Sequence, residues 1–328
     1  VSGIKPTGDL TLGNYIGILQ PLLYLQQNLK HFDFYLFIAD LHALTFYQEP
    51  QKLKIQIKKI AALYLAAGLN HDKINLFVQS EVTQHAYLSY ILECTSYFSE
   101  LKRMIQYKEK SKINLEGIRT SLFTYPTLMA ADILIYDANL VPIGQDQKQH
   151  LELTKKLATR FNNLYGNIFI VPKPFFNPLG SKIKSLQNPL QKMSKSDNED
   201  PKSYILLLDD PKIIKSKIAK TVTDSQKIIK YDPESQPGIS NLLTIYASLK
   251  QISILESAKV FQKSNYKELK DKVSEEIINF VVPLQQKFYQ LMNSAKLDDV
   301  LNQGAQKASL IAEKKIKQVQ QKLGISRF

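Results

Sequence analysis

The sequence predicts an α/β protein: a parallel sheet wound with helices, followed by a second, mainly helical domain. Three observations carry that reading. Phe34 to Asp40 and Lys73 to Gln79 are near-continuous apolar runs, the pattern of strands buried on both faces. Gln51 to Gly68 lies between them as an amphipathic helix closed by Gly68-Leu69-Asn70, and strand–helix–strand units of this length wind into a parallel sheet. Downstream of about Ser203 no β-rich run recurs.

At the start of the chain, Ser2 to Gly8 is a glycine- and proline-containing turn after a strand end, and Leu12 opens an apolar stretch reaching about Leu29. A strand, a turn and a helix start are expected. Asn14 and the backbone N–H groups then stand at the positive end of the helix, where phosphates bind. Gly13 and Gly17 would let another group approach the backbone. An ordinary βα turn explains the local pattern equally well, since neither GxxxxGK[ST] nor GxGxxG occurs. Pro21 predicts a kink or early end of this helix.

His42 follows the second strand at its carboxyl end, where open α/β sheets bind ligands. It is either a ligand contact or a hydrogen-bonded structural histidine. Glu81 to Ser111 reads as helical in two pieces, and Asn114 to Ile118 as a loop. Thr120 to Tyr136 is apolar nearly all round, so it should be a buried helix bent at Pro126. Asp132 is its one carboxylate. A buried carboxylate needs donors, supplied either by neighbouring protein groups or by an N–H on an otherwise apolar ligand.

Leu140 to Ile143 is a short strand, and Gly144-Gln145-Asp146-Gln147 leads into a helix from Lys148 to Arg160. Glycine and an acid at a strand end suit a ribose hydroxyl pair. Lys148, His150 and the later lysines read as a solvated face. Lys192-Met193-Ser194-Lys195-Ser196 follows Pro178-Leu179-Gly180 and precedes the polar run Asp197 to Pro201. This is the setting of a mobile surface loop. Its lysines and hydroxyls surround one apolar anchor, Met193, and could close on a polyphosphate, although a solvated basic turn has the same composition. The expected helices beyond it are Lys202–Lys220, Ile239–Lys250, Ser257–Asn265, Lys267–Asn293 and Leu297–Gly324, with Asp197 to Pro201 as hinge.

The formal net charge of +13 over 328 residues points to a polyanionic partner. Basic helical surface with scattered tyrosines suits RNA, and is also the surface of any basic protein. No run of about 18 apolar residues and no signal-peptide pattern occurs, so a soluble cytoplasmic protein is expected. The single cysteine, Cys94, excludes intrachain disulfides and iron–sulfur clusters, and is expected to be buried.

Taken together, Thr11-Leu12-Gly13-Asn14, Gly144-Gln145-Asp146-Gln147 and Lys192 to Ser196 resemble the motifs of class I aminoacyl-tRNA synthetases. The first is similar to the HIGH motif in its tryptophanyl variant, and the last is an unaltered KMSKS. Tyr125-Pro126, Leu128 to Leu134, Val141 to His150, Thr221 to Ser225 and Pro237 to Leu243 extend the resemblance to bacterial tryptophanyl-tRNA synthetases over essentially the whole chain.

The resemblance implies a Rossmann-like nucleotide-binding catalytic domain over 1–196, a helical anticodon-binding domain over 197–290 and C-terminal helices over 291–328 packing back on the first. It implies a homodimer without membrane attachment, acting on L-tryptophan, ATP with Mg²⁺ and tRNA-Trp. Thr11, Asn14, Lys192 and Lys195 would be catalytic. Lys5, Pro6, Thr7, Gly13 and Asn14 would line the ATP site, Gly144, Gln145 and Asp146 the ribose side, and Ile183 the adenine. Lys192, Met193, Ser194, Lys195 and Ser196 would close on the triphosphate. Asp132 would accept the indole N–H, with His42, Gln106, Tyr125, Met129, Val141 and Gln147 around it. No resident protein-bound metal is implied. Lys5 stands where the family commonly has glutamine, Lys184 where methionine is usual, and Pro21 is unusual in the first helix. A tyrosine-activating relative and a catalytically idle RNA-binding paralogue are the competing readings.

Overall fold

The structure is a computed structural model describing residues 1–28, 32–110, 118–144, 147–175, 182–195 and 200–327, without the side chains of 106, 109 and 110. Three parallel strands form its central sheet in the order β1 (Ser2–Ile4), β2 (Phe34–Ile38), β3 (Ile74–Val78), with Ile4 opposite Ile38 and Ile38 opposite Val78. The strand before the first motif therefore runs to Ile4, further than the turn-rich sequence suggests. A second parallel pair joins β4 (Leu140–Pro142) to β5 (Lys173–Phe175). The β5 strand is not evident in the sequence, because Pro172 and Pro174 interrupt it. Proline is tolerated there because an edge strand has ladder positions that need no N–H.

The first helix starts as α1 (Leu12–Asn14), passes through a π-helical turn at Tyr15–Leu19 and continues as α2 (Gln20–Asn28). Pro21 neither ends nor caps it. A proline removes one helical N–H and crowds the carbonyl four residues back, and the π turn immediately before it, where Gln20 N–H reaches Tyr15 O, shifts that carbonyl away. Next come α3 (Asp40–Ala43) and α4 (Pro50–Ala66), the latter capped by the Glu49 carboxylate on the N–H groups of Gln51 and Lys52.

The stretch expected as two helical pieces forms three: α5 (Gln84–Thr95), α6 (Phe98–Lys102) and α7 (Ile105–Lys110). Cys94 is exposed, not buried. On α5 the buried stripe is Leu88, Ile91 and Leu92, and Cys94 falls outside it with Tyr87 and Tyr90. The long apolar helix α8 (Thr120–Leu134) runs through Pro126 without a break, and α9 (Lys148–Tyr165) follows β4.

Beyond the KMSKS loop, residues 204–210 are not helical as expected. Leu206 makes an antiparallel bridge to Thr11, and helix α10 (Pro211–Ala219) begins only after Asp210, whose carboxylate caps Lys212 N–H. Pro211 at the first helical position blocks any earlier start. Helices α11 (Pro237–Lys250), α12 (Ile254–Val260), α13 (Tyr266–Met292) and α14 (Lys296–Leu323) complete the chain.

One apolar core joins the first helix, the sheet and α4 to Ile205, Leu207 and the buried faces of α10, α11 and α13. A second lies under α5, α8 and α9 and includes Ala308, Ala312 and Val319 of α14. Helix α14 meets β3 so closely that a Cβ on Gly304 would collide with the carbonyl oxygen of Leu76. Lys315 ties the same helix down, with Nζ 2.7 Å from Asp137 Oδ2 and 3.0 Å from Ile168 O.

Candidate active site

Thr11 and Asn14 cap the first helix reciprocally. Thr11 N–H and Oγ1–H both donate to Asn14 Oδ1 at 2.9 Å, and Asn14 N–H donates to Thr11 Oγ1 at 3.2 Å. This box engages the oxygen of the Asn14 amide; the other atom, Nδ2, is a donor, the polarity a phosphate oxygen requires. The helix start is stitched to the segment after the KMSKS loop, with Leu12 N–H donating to Ile205 O and Leu207 N–H to Leu10 O.

The KMSKS loop leaves the protein through a short hairpin. Lys184 and Lys192 form an antiparallel bridge, Met193 N–H donates to Ile183 O at 2.9 Å, and Ser185 N–H donates to Gln191 O. Ile183 and Met193 are both buried. Met193 reaches Gly13 of the first motif, where even a methyl group would lie 3.3 Å from its Cβ. The hairpin is gripped from the helical region by Asn241, which accepts from Lys184 N–H at 2.8 Å and donates to Lys184 O at 3.0 Å. Lys195 Nζ lies 2.7 Å from Asp9 Oδ2. Lys192 is exposed and Ser194 half-buried.

Asp132, 2% exposed on α8, is the centre of a buried hydrogen-bond cluster. His42 Nε2 lies 2.8 Å from its Oδ2; Gln79 Nε2 at 2.7 Å and His85 Nδ1 at 2.6 Å contact its Oδ1. Burial pushes this carboxyl upward, but the hydrogen bonds and charge of His42 and His85 outweigh it and hold it at about 2. It is therefore ionised, and acts only as an acceptor. His42 meets the ring of Tyr125 edge-on, and the Tyr125 hydroxyl hydrogen-bonds His150 Nε2 at 2.6 Å. His150 is thus buried at the site rather than on a solvated face. Met129 packs against the small cluster of Ile133, Ala138, Val141 and Leu151. Lys5 Nζ lies 5.8 Å from the centre of the Tyr125 ring, bringing the end of β1 to α8. Pro6 is buried and Thr7 exposed; Gly144 is exposed and accepts from Gln147 N–H, which is half-buried.

Gln145, Asp146 and Ser196, together with the Gln106 side chain, lie outside the described residues. Five residues that the sequence reading did not single out join these contacts: Asp9 on Lys195, Gln79 and His85 on Asp132, Tyr136 on His85, and Asn241 on Lys184. Gln79 follows β3 as His42 follows β2, so the strand-end rule that marked one could have marked the other. The others have no local signal.

The chain as a whole is similar to known proteins. A family model for class I tRNA synthetases (W and Y) matches residues 1–282. A tryptophan–tRNA ligase of Bacillus subtilis is 46% identical over 326 residues, covering 99% of this chain and 97% of the relative. Among solved structures, a tryptophanyl-tRNA synthetase of Mycoplasma pneumoniae superposes with a TM-score of 0.87 at 34% identity, over 99% of this chain and 97% of that one. One from Campylobacter jejuni, solved with ADP and tryptophan, gives 0.84 at 30% identity over 98% of each chain. With the first motif, the KMSKS hairpin and the buried acceptor all arranged around one sheet edge, the chain belongs to the class I tRNA synthetases of the tryptophan and tyrosine family.

Proposed function

We propose that this chain activates L-tryptophan with ATP, giving tryptophanyl-adenylate and pyrophosphate, and then transfers tryptophan to tRNA-Trp. The observation that carries the substrate assignment is Asp132, a buried ionised acceptor on α8, the helix that also carries Tyr125 and Met129. Such a pocket receives an apolar ring that bears one N–H. Phenylalanine would leave one acceptor site of this buried carboxylate unfilled, which disfavours it against a ring that donates.

The adenylate forms when the substrate carboxylate attacks the α-phosphorus and pyrophosphate departs. No protein nucleophile is needed, because positioning and charge stabilisation lower the barrier. In this reading Asn14 and Thr11 present the helix start to the phosphates. Lys192 and Lys195 neutralise the triphosphate, Ser194 and Ser196 fix its oxygens, and Ile183 and Met193 support the adenine side. Lys5, Pro6, Thr7 and Gly13 are assigned to the ATP site, and Gly144, with Gln145 and Asp146 outside the described residues, to recognition of the ribose. His42, Gln106 and Gln147 complete the tryptophan pocket. Among the described residues no group of three His, Cys, Asp or Glu side chains could hold a metal. The donors here are cationic and hydroxylic, which fits a Mg²⁺ that arrives on the triphosphate and shares the neutralisation of its oxygens.

The division into a catalytic domain over 1–196, an anticodon-binding domain over 197–290 and C-terminal helices over 291–328 belongs to the same reading. So does a homodimer, for which the exposed aromatic residues Tyr90, Tyr97 and Phe98 offer apolar surface. Cytoplasmic location fits a translation enzyme, and no helix among the described residues is long and apolar enough to cross a membrane. The deciding experiment is amino-acid-dependent exchange of labelled pyrophosphate into ATP, with tryptophan, tyrosine and phenylalanine in parallel. Exchange is expected with tryptophan alone and should be lost in Asp132→Ala. Exchange with tyrosine would overturn the substrate, and none with any of the three would overturn the activity.

A further inference from the structure

His85 is fully buried on α5, and Phe37, Phe77 and Tyr136 surround its ring at centroid distances of 5.6, 6.0 and 5.4 Å. An imidazole in an aromatic cage loses its water and must recover hydrogen bonds on both nitrogens. It does so at Asp132 Oδ1, 2.6 Å from Nδ1, and at the Tyr136 hydroxyl, 2.7 Å from Nε2. Asp132 accepts, so Nδ1 carries a proton. The Tyr136 hydroxyl meets Nε2, so both ring nitrogens are satisfied. Burial keeps Tyr136 protonated by raising its pKa, and the nearby Asp132 charge adds to that. The ring of Tyr136 is itself held by stacking on Tyr35 at 4.3 Å.

An ionised carboxylate has about four acceptor sites. On Asp132, Gln79 and His85 occupy both sites on Oδ1, and His42 occupies one on Oδ2. One site remains, on Oδ2. The Gln79 amide is turned to serve this arrangement even though its own Oε1 is buried without a hydrogen-bond partner among the described residues. The opposite orientation would set that oxygen against the carboxylate.

We infer that His85 is a positioning residue for substrate selection: with Tyr136 behind it, its Nδ1–H fixes the Asp132 carboxylate so that one acceptor site on Oδ2 faces the ligand. This rests on the reading of Asp132 as the acceptor for the indole N–H. Without His85, the carboxylate can turn or take up a proton, and its preference for a ring that donates is lost.

The test compares tryptophan with 3-benzothienylalanine, in which sulfur replaces the N–H, by their kcat/KM in pyrophosphate exchange. Asparagine places its amide nitrogen where Nδ1 stands, and glutamine reaches the place of Nε2. His85→Asn should therefore keep most of the tryptophan preference. His85→Gln and His85→Leu should each lose about tenfold or more of it, with the KM for ATP unchanged. Tyr136→Phe should lose a smaller part. Equal preference ratios in the Asn and Gln variants, or an intact ratio in both, would overturn the proposal; that comparison stands even if the Leu variant does not fold. Asp132→Asn separates the two levels. A ratio that collapses there but survives in His85→Gln removes His85 alone, whereas a ratio unaffected by Asp132→Asn removes the acceptor reading and the proposal with it.

Discussion

Lys195 places its ammonium nitrogen 2.7 Å from the carboxylate of Asp9, 186 residues away in the chain. Asp9 lies just before the Thr11–Asn14 box, so the ion pair joins the two motifs that a triphosphate would bridge. Lys59 stands 3.9 Å from the other Asp9 oxygen. Burial pushes the Asp9 carboxyl up, but Lys195, by hydrogen bond and charge, brings it below its ordinary value, helped by Lys59. If Lys195 meets the triphosphate as proposed, Asp9 competes with a phosphate for it.

Asp9→Asn should release that competition and lower the KM for ATP while leaving the KM for tryptophan unchanged. A partly exposed ion pair contributes about 1 kcal/mol at most, so the expected change is up to roughly fivefold. It should shrink as salt screens the pair. Initial-rate pyrophosphate exchange at low and high ionic strength reads both effects. An unchanged or higher KM for ATP would mean that Asp9 does not restrain the loop.

The grip of Asn241 on Lys184 gives a second prediction. Asn241 is buried on α11, and its amide makes two hydrogen bonds to one residue of the hairpin that carries the KMSKS loop. Asn241→Asp replaces the donor facing Lys184 O by an acceptor, so it should be worse than Asn241→Ala. Either change should cost about 1–3 kcal/mol in urea unfolding, since it leaves part-buried backbone groups of Lys184 unpaired. The KM for ATP should rise and that for tryptophan should not. Equal effects on both substrates would place Asn241 in the fold alone.

How far the sequence reaches depends on how local each signal is. The strands at 34–38 and 74–78, the helix start at Leu12 and the lone acid on α8 follow from patterns within a few residues. The partners of Asp132 do not. His85 reaches it only because α5 packs on α8, and Gln79 only because β3 ends beside them. Residues 204–208 are apolar enough for a helix, but Pro211 delays it and Leu206 pairs with Thr11 instead. Residue type alone puts Cys94 in the core, whereas the phase of α5 sets it outside the buried stripe.

Gly304 supplies a packing test away from the chemistry. Helix α14 crosses β3 with this residue against Leu76, whose carbonyl oxygen occupies the place a Cβ would take. Backbone cannot rotate aside as a side chain can. Gly304→Ala should therefore destabilise the protein by about 1–3 kcal/mol, read as a lower midpoint in thermal or urea unfolding. An unshifted midpoint would mean that α14 does not sit this close to the sheet.

The acid behaviour of Asp132 follows from its partners. Its folded pKa, about 2, lies below the ordinary value of 3.8. A depressed carboxyl stabilises the native state above its unfolded pKa and loses that contribution as pH falls through the folded one. At neutral pH, Asp132→Asn removes the charge that His42 and His85 face and turns an amide donor towards at least one of the groups now donating to it. A loss of about 3 kcal/mol is expected, in the range for breaking a buried ionic cluster. The difference between wild type and Asp132→Asn should hold down to about pH 5, narrow as pH falls below 4 and vanish near pH 2. Urea midpoints across that range measure it. The same ordering of pKa values keeps the acceptor ionised throughout neutral and mildly acidic pH, so protonation of Asp132 itself should not contribute to the acid side of the tryptophan KM profile above about pH 5. A gap that stays constant from neutral pH to pH 2 would show that the two histidines do not hold this carboxyl down.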